Sequence, residues 1–576
     1  MTPPKKVEPI KRLKAITTNN IRTDIMNAAT IVIFGLIWFI FAYNWYGRII
    51  QKKLIGHSDK LTPANEVNDG MDYVPTKSSI LFGHHFSSIA GAGPIVGPIF
   101  AFALFGWLPA LLWILVGSVF MGAVHDYAAL MVSVRHRGVS LVEITGNVIS
   151  NRAKIIFAVF VWMTLVLIQA VFADLTAKTL TEKPEIVLPT LGIMLIAVIF
   201  GIAVFRKGFN TIAGTILGLA ALFGLILLGE QFPIVLSHDT WLIFAVVYSL
   251  VAATLPVWLL LQPRDYLSMY LLIIGLLLGL IGTIVLAPEI NAPAFTGFNS
   301  IKGPMFPMLF IIVACGAISG FHSLVSSGTT AKQLNLEKEG RLVSFGSMLT
   351  EGFLALLVIV MIASVLKWNP GAGSIAGEYI FQNLMTQSAN IVFGTALGLT
   401  TESLGIPLAL GISFGVLMLN AFILTTLDTS ARLSRYIVQE TLGKKYGGIF
   451  NNRFFATGSG LVLAYLLCLG GGYKVLWPVF GSSNQLIATI ALFVVTVYFT
   501  SKQKPKYFTL IPAIIMLIVT ESALAYQIFW LYIPTGHWTL LIISSILFSL
   551  GLMIAIEVFS KLKETKKSIK EKRITP

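Results

Sequence analysis

The stretch Gly83-His84-His85-Phe86-Ser87-Ser88-Ile89-Ala90-Gly91-Ala92-Gly93-Pro94-Ile95-Val96-Gly97-Pro98 decides how the rest of the chain is read. It opens an apolar run, yet its first half holds two prolines and closely spaced glycines. Proline removes a backbone donor and clashes with the preceding turn, so the spacing predicts local unwinding around residues 90–94. Unwound backbone at membrane depth is tolerated only beside protein or a wet cavity. A half-helix starting near Pro94 would point its positive end into the protein, a natural seat for a carboxylate. The same glycines also fit a close-packing face of the GxxxG kind.

Around this stretch lies a chain of 576 residues, 56% hydrophobic and 12% charged, with a mean hydropathy of +0.82. Soluble domains carry roughly 25% charged residues, so there is too little polar surface here to cover the apolar side chains. Predominantly apolar runs of about 18 or more residues recur from end to end, each long enough to cross a hydrocarbon core. The expected fold class is an all-α polytopic membrane protein with about fifteen spans. They lie near residues 28–47, 86–105, 108–133, 154–174, 187–205, 210–229, 240–262, 266–287, 305–327, 345–366, 403–427, 453–470, 475–499, 508–530 and 537–558. The longest extramembrane pieces are then 1–27, 48–80 and 367–402. The first apolar run ends in bulky residues without a small-x-small cleavage pattern and reads as a retained helix. Cys315 and Cys468 each fall inside a span, which leaves no disulfide framework or thiolate metal site.

A net charge of +15 invites a nucleic-acid reading, but the basic residues follow membrane topology instead. If the second span leaves the cytoplasm, inside connections hold 25 Lys and Arg and outside connections hold 5. That bias puts the C-terminus in the cytoplasm. The other 11 basic residues flank the first span on both sides, which leaves its orientation open.

Two further segments depart from ordinary lipid-facing helices. In Leu255-Pro256-Val257-Trp258-Leu259-Leu260-Leu261-Gln262-Pro263-Arg264-Asp265-Tyr266, Pro256 is expected to kink its span, with Gln262, Arg264 and Asp265 gathered at its cytoplasmic end. Arg264 and Asp265 read equally well as a structural ion pair and topology anchor. In Cys315-Gly316-Ala317-Ile318-Ser319-Gly320-Phe321-His322-Ser323-Leu324-Val325-Ser326-Ser327, the residues Ser319, His322, Ser323, Ser326 and Ser327 fall on one helical face. Such a face can coordinate a small cation or bind a polar substrate, or simply let helices approach. Glu351, Asp428 and the pair His125-Asp126 are further ionisable groups within spans, where charge is expensive and marks function by default. His125 suits a proton relay, although neighbours in sequence diverge by about 100° on a helix and need not touch. Asp428 reads as a cap or as the partner of Arg432 one turn later.

An intramembrane metal enzyme using His84, His85, His125 and Asp126 is the alternative from another class, but no H-E-x-x-H arrangement is present. Channels want rings of carbonyls or charges, and a receptor wants a soluble output domain. A carrier fits many spans, broken helices and scattered interior polar groups.

The run from Asn68-Asp69-Gly70-Met71-Asp72-Tyr73-Val74-Pro75-Thr76 through Gly83–Phe86 to Gly91–Pro98 resembles the carbon starvation protein (CstA) family. Gly122-Ala123-Val124-His125-Asp126, Leu255–Trp258, Pro263–Tyr266, His322–Thr330 and Thr425-Thr426-Leu427-Asp428-Thr429 carry the resemblance onward in the expected order. It implies placement in the amino acid–polyamine–organocation superfamily and uptake of pyruvate or peptides during nutrient limitation. It also implies a LeuT-like core of two inverted five-helix repeats, with span 86–105 as the first core helix, 240–262 as the sixth and 305–327 as the eighth. Under that reading residues 1–80 are a tail, extra helix and cytoplasmic loop, 81–430 the transport core, and 431–576 peripheral helices with a basic tail. Longer members have one more N-terminal helix.

The expected mechanism is alternating-access symport in a bacterial inner or plasma membrane, with no cofactor and no metal. Substrate would lie at His85, Ser88, Ala90, Gly91, Gly93, Pro94, Pro256, Trp258 and His322. Ser323, Ser326, Ser327, His125 and Asp126 would handle the coupling ion, a proton first and sodium second. Gln262, Arg264, Asp265 and Asp428 would be structural or gating groups. The expected partners are a small-molecule substrate and the lipid bilayer, not nucleic acid.

Overall fold

Helix starts in this chain follow its side-chain oxygens. Asn27 accepts from the Ala29 amide, Ser150 from Ala153, Asn210 from Ile212 and Ala213, Ser237 from Thr240, and Asn452 from Phe454. Each satisfies an amide that the first turn leaves without a partner. The computed structural model describes residues 27–56, 61–368, 378–379, 388–469 and 472–574. Among them twelve helices are long and apolar enough to cross a membrane, from Ala28–Ile55 to Trp538–Ser568. His238–Thr254 and Arg453–Cys468 are shorter apolar helices. The only regular strands among the described residues are two-residue pairs, 299–300 with 303–304 and 367–368 with 378–379. The molecule is a multi-pass helical membrane protein.

The expected break in the first long stretch is present. One helix runs Ser78–Ile89, residues 90–92 are non-helical, and Gly93–Phe105 resumes with Pro94 in its first turn. The close-packing reading holds too. A Cβ on Gly93 would meet Cys315 Sγ at 2.3 Å, and one on Gly97 would meet the Ile312 carbonyl at 2.5 Å. These two glycines therefore admit a second chain segment at backbone distance.

That segment is itself broken, which corrects the expectation of one span over 305–327. Helix Met305–Ile312 stops, residues 313–319 are non-helical, and Gly320–Gly328 follows. Its freed backbone groups find side chains. Trp113 Nε1 donates to the Val313 carbonyl, Gln485 Nε2 donates to Ile318, and Asn484 Oδ1 accepts from the Phe321 amide, at 3.1, 2.9 and 2.8 Å. The broken backbone is thus buried in protein and satisfied.

Three other expectations need correction. The span read as 240–262 ends at Thr254, so Pro256 and Trp258 lie in a connector rather than at a kink. Gln262, Arg264 and Asp265 consequently open the next helix, Leu261–Leu286. Within the supposed loop 367–402, helix Ala389–Glu402 packs along Leu408–Val438. The basic residues of 1–26 lie outside the described residues.

Two packing patterns position the interior. Helices Asn151–Glu182, His238–Thr254, Leu408–Val438 and Arg453–Cys468 form a group in which every pair is in contact. The broken helices make matched contacts: Ser78–Ile89 lies on Leu261–Leu286 as Met305–Ile312 lies on Gly472–Ser501. Gly93–Phe105 lies on Ser347–Val365 as Gly320–Gly328 lies on Ala123–Val134. A hairpin of Pro184–Arg206 and Thr211–Gln231 is added outside, with Ile212, Ile216 and Leu217 exposed.

Candidate transport site

Residues 83–100 are all buried, so the first break and both of its half-helix ends are enclosed by protein. The half-helix before the break, Ser78–Ile89, is held by hydroxyls and ions on both sides. Thr425 Oγ1 donates to the Ser87 carbonyl at 2.7 Å, and Thr426 Oγ1 to the Ser88 carbonyl at 3.1 Å. Ser88 Oγ lies 3.3 Å from Thr429 Oγ1, and a Cβ on Gly91 would meet Thr426 Oγ1 at 2.7 Å. The helix Leu408–Val438 therefore runs alongside the first break, with two threonines on its backbone carbonyls and a third on the Ser88 hydroxyl.

His84 and His85 point to different neighbours. His84 Nδ1 is 2.7 Å from Asp265 Oδ2, while His85 Nδ1 is 2.8 Å from Thr330 Oγ1. Asp265 also takes Arg264 Nη2 at 2.6 Å, and Arg264 Nη1 and Nη2 reach both oxygens of Asp428. Tyr248 completes the guanidinium's shell. Asp428 thus pairs with Arg264, not with Arg432 as its sequence neighbourhood implied. Arg432 instead binds Asp72 at 2.7 Å and the carbonyls of Ala252 and Leu255.

On the other side, His125 and Asp126 do touch: His125 Nδ1 lies 2.7 Å from Asp126 Oδ1. Asp126 Oδ2 is 3.0 Å from His322 Nδ1, and His322 Nε2 is 3.3 Å from Glu351 Oε2. All four side chains are fully buried. Of the serine face, Ser323 donates to the Gly320 carbonyl and Ser327 to that of Ser323, both at 2.7 Å. Ser327 also accepts from the Leu141 amide, whereas Ser326 Oγ has no hydrogen-bond partner among the described residues.

The end of the bundle bearing the basic loops is stitched shut. Asp72 meets Arg432 and Arg435, and Lys332 lies over the Tyr436 ring at 3.6 Å. Burial pushes the Asp72 carboxyl up, but Arg432, Arg435 and Lys332 outweigh it and hold it well below the usual carboxylate range. The Val74 and Thr76 amides donate to the carbonyls of Lys332 and Gln333, and Gln262 bridges Thr76 Oγ1 and Gln333 Oε1. Arg264, Lys332, Arg432 and Arg435, read from sequence as loop anchors, are buried in these contacts.

Two cavities bracket the broken helices. One of about 410 Å³ is lined by Val74, Thr76, Ile80, Arg206, Trp258 and Gln262. Trp258 lies there under the Arg206 guanidinium, 4.3 Å away, and not at the break. The other, about 540 Å³, opens beside Gly93–Phe105 at Phe100, Leu104, Met308, Ile312 and Trp477. Among the described residues no group of three His, Cys, Asp or Glu side chains is placed to hold a metal ion.

Sequence reading named Glu351 as an intramembrane candidate without giving it a role, and did not assign Asp72, Thr330, Asn484 or Gln485 to the site. Adjacent Asn484 and Gln485 inside an apolar run were a usable signal, because amides in a span need partners.

This arrangement belongs to a membrane transporter, and comparison with known proteins agrees. The family described as carbon starvation protein CstA matches residues 27–400 and 371–523, and the chain belongs to that family. The pyruvate/proton symporter BtsT of Escherichia coli K12 is 34% identical over 88% of this chain and 82% of its own. The peptide transporter CstA of Bacillus subtilis is 33% identical over 93% of this chain and 97% of its own. A manganese transporter of Eremococcus coleocola shares the fold at a TM-score of 0.51 and 12% identity, covering 87% of this chain and 99% of that one.

Proposed function

We propose that the protein is an ion-coupled symporter that imports pyruvate or short peptides by alternating access during carbon starvation. One observation carries most of the reading: two broken helices meet at their breaks, enclosed by protein, with cavities on either side. The amino end of Gly93–Phe105 is the seat for a substrate carboxylate, lined by Ser88, Ala90, Gly91, Gly93 and Pro94. His85 is the adjoining polar group.

The matched packing supports a core of two inverted five-helix repeats. The first comprises 78–105, 107–134, 151–182, 238–254 and 261–286, with the hairpin 184–231 inserted. The second comprises 305–328, 337–365, 408–446, 453–468 and 475–501. Each has a short helix before its third member, Leu141–Val148 or Ala389–Glu402. This assignment moves the sixth core helix from 240–262 to 305–328 and the eighth to 408–446. Thr425 and Thr426 then replace Ser326 and Ser327 as the hydroxyls facing the first helix, and sodium coupling would rest on them. A proton remains the first choice, since the buried His125, Asp126, His322 and Glu351 are titratable groups. The basic bias survives removal of the four buried cations, which keeps the C-terminus in the cytoplasm.

Uptake of labelled pyruvate and of a labelled dipeptide into proteoliposomes, under proton or sodium gradients in turn, tests the reading. Accumulation of one of them above equilibrium is expected, driven by the proton gradient. No accumulation of either by folded protein would overturn it. His85→Ala should abolish uptake while leaving folded protein in the membrane, and near-normal uptake would remove His85 from the site.

A further inference from the structure

Hydrogen bonding around Asp126 fixes where protons sit. Asp126 lies within bonding distance of His125 Nδ1 through Oδ1 and of His322 Nδ1 through Oδ2. A carboxylate only accepts, so both Nδ1 atoms carry hydrogen. His322 therefore presents Nε2 to Glu351 either as a lone pair or, in the imidazolium, as an N–H. Neither Glu351 oxygen has a hydrogen-bond partner among the described residues, and the residue is fully buried. An ionised carboxylate left in that position without a proton nearby would be prohibitively costly.

No permanent cation serves this group. Ala28–Phe41, Gly93–Phe105 and Trp107–Gly117, all packed on Ser347–Val365, carry no titratable side chain. On the other packed elements, Arg264 and Asp265 are engaged with Asp428 and His84, Arg341 lies over Tyr43, and Glu402 is exposed. His85 across Ser78–Ile89 and Cys315 in the second break complete the electrostatic surroundings.

We propose that Glu351 and His322 form a single proton-binding site that couples proton movement to the second broken helix. The proposal rests on the proton-symport reading above. When filled, the proton is held as Glu351 carboxyl to Nε2 lone pair, or equivalently as carboxylate to Nε2–H. When the proton leaves to water, the carboxylate faces the Nε2 lone pair and the contact becomes repulsive. Gly320–Gly328, which carries His322, then parts from Ser347–Val365, which carries Glu351. His322 is on this reading a coupling group, not a substrate ligand.

The test uses the full-length protein in proteoliposomes. Infrared difference spectra across a pH titration should show the carbonyl stretch of a protonated carboxylic acid, lost at high pH in the wild type and missing in Glu351→Gln. The same variant should keep counterflow exchange of pyruvate or dipeptide while gradient-driven accumulation falls at least about tenfold. Glu351→Asp should restore part of that accumulation. An unchanged infrared titration, or wild-type accumulation by Glu351→Gln, overturns the proposal. Should Glu351→Gln fail to fold, His322→Gln is read instead. The Glu351 midpoint must then move by at least about one pH unit, and an unmoved midpoint is equally fatal. If the wild type accumulates neither probe, the symport reading fails while the infrared titration still decides the proton site.

Discussion

Two buried polar clusters flank the half-helix Ser78–Ile89, and they differ in one group. The first, His84 with Asp265, Arg264 and Asp428, contains a guanidinium that stays charged at any accessible pH. The second, His125 with Asp126, His322 and Glu351, has two carboxyls and no permanent cation. In the first a fixed cation shared by both carboxylates supplies compensating charge, whereas in the second every compensating charge is a bound proton. One cluster is therefore suited to holding helices together, and the other to responding.

The sharpest way to break this comparison is to remove the guanidinium. Arg264→Met leaves Asp265 and Asp428 without their shared partner and is expected to cost about 3–5 kcal/mol. Thermal unfolding of the purified protein reads this. A loss below 1 kcal/mol would show that the first cluster is no more structural than the second. Asp126→Asn is expected to cost about 1–3 kcal/mol, because one histidine loses its acceptor to an amide NH2 and the other keeps only a neutral one.

The inner rim sharpens the contrast from the opposite side, with surplus cations around one acid. Asp72 has a folded pKa below its unfolded value, so its stabilising contribution is fully present above about pH 4 and fades as pH falls from there towards the depressed folded value. The stability gap between wild type and Asp72→Asn should accordingly be flat near neutrality and close in acid. A gap that opens on acidification would contradict the ion pairs with Arg432 and Arg435. Thr426→Val, which removes one neutral hydrogen bond, should cost only about 0.5–1.5 kcal/mol. A larger loss of uptake than of stability would mark the threonine as functional.

How much of this was legible depended on sequence distance. Pro94 and Pro98 announced the first break locally, and the break is there. The second break has no proline, and the groups that make it tolerable, Asn484 and Gln485, lie more than 160 residues away. Asp428 was matched to Arg432 because helical spacing is all that sequence offers, yet its partner is 164 residues distant. Pro256 was read as a kink because periodicity does not separate a bent helix from two helices joined by a connector. The face holding His322 was visible as a pattern. That Glu351 stands opposite it was not, since the contact joins two helices through tertiary packing alone.

The strand-like bridge at Thr76 and Leu334 has a mechanical consequence. It ties the chain entering one broken helix to the chain leaving the other through main-chain hydrogen bonds. Force applied to either half-helix passes to the other without relying on any side chain. Its two main-chain bonds outlast ordinary substitution, though the Gln262 side chain reinforces them, and proline at 74 or 76 would delete one donor. The joint between the two broken helices is thus written largely in the backbone.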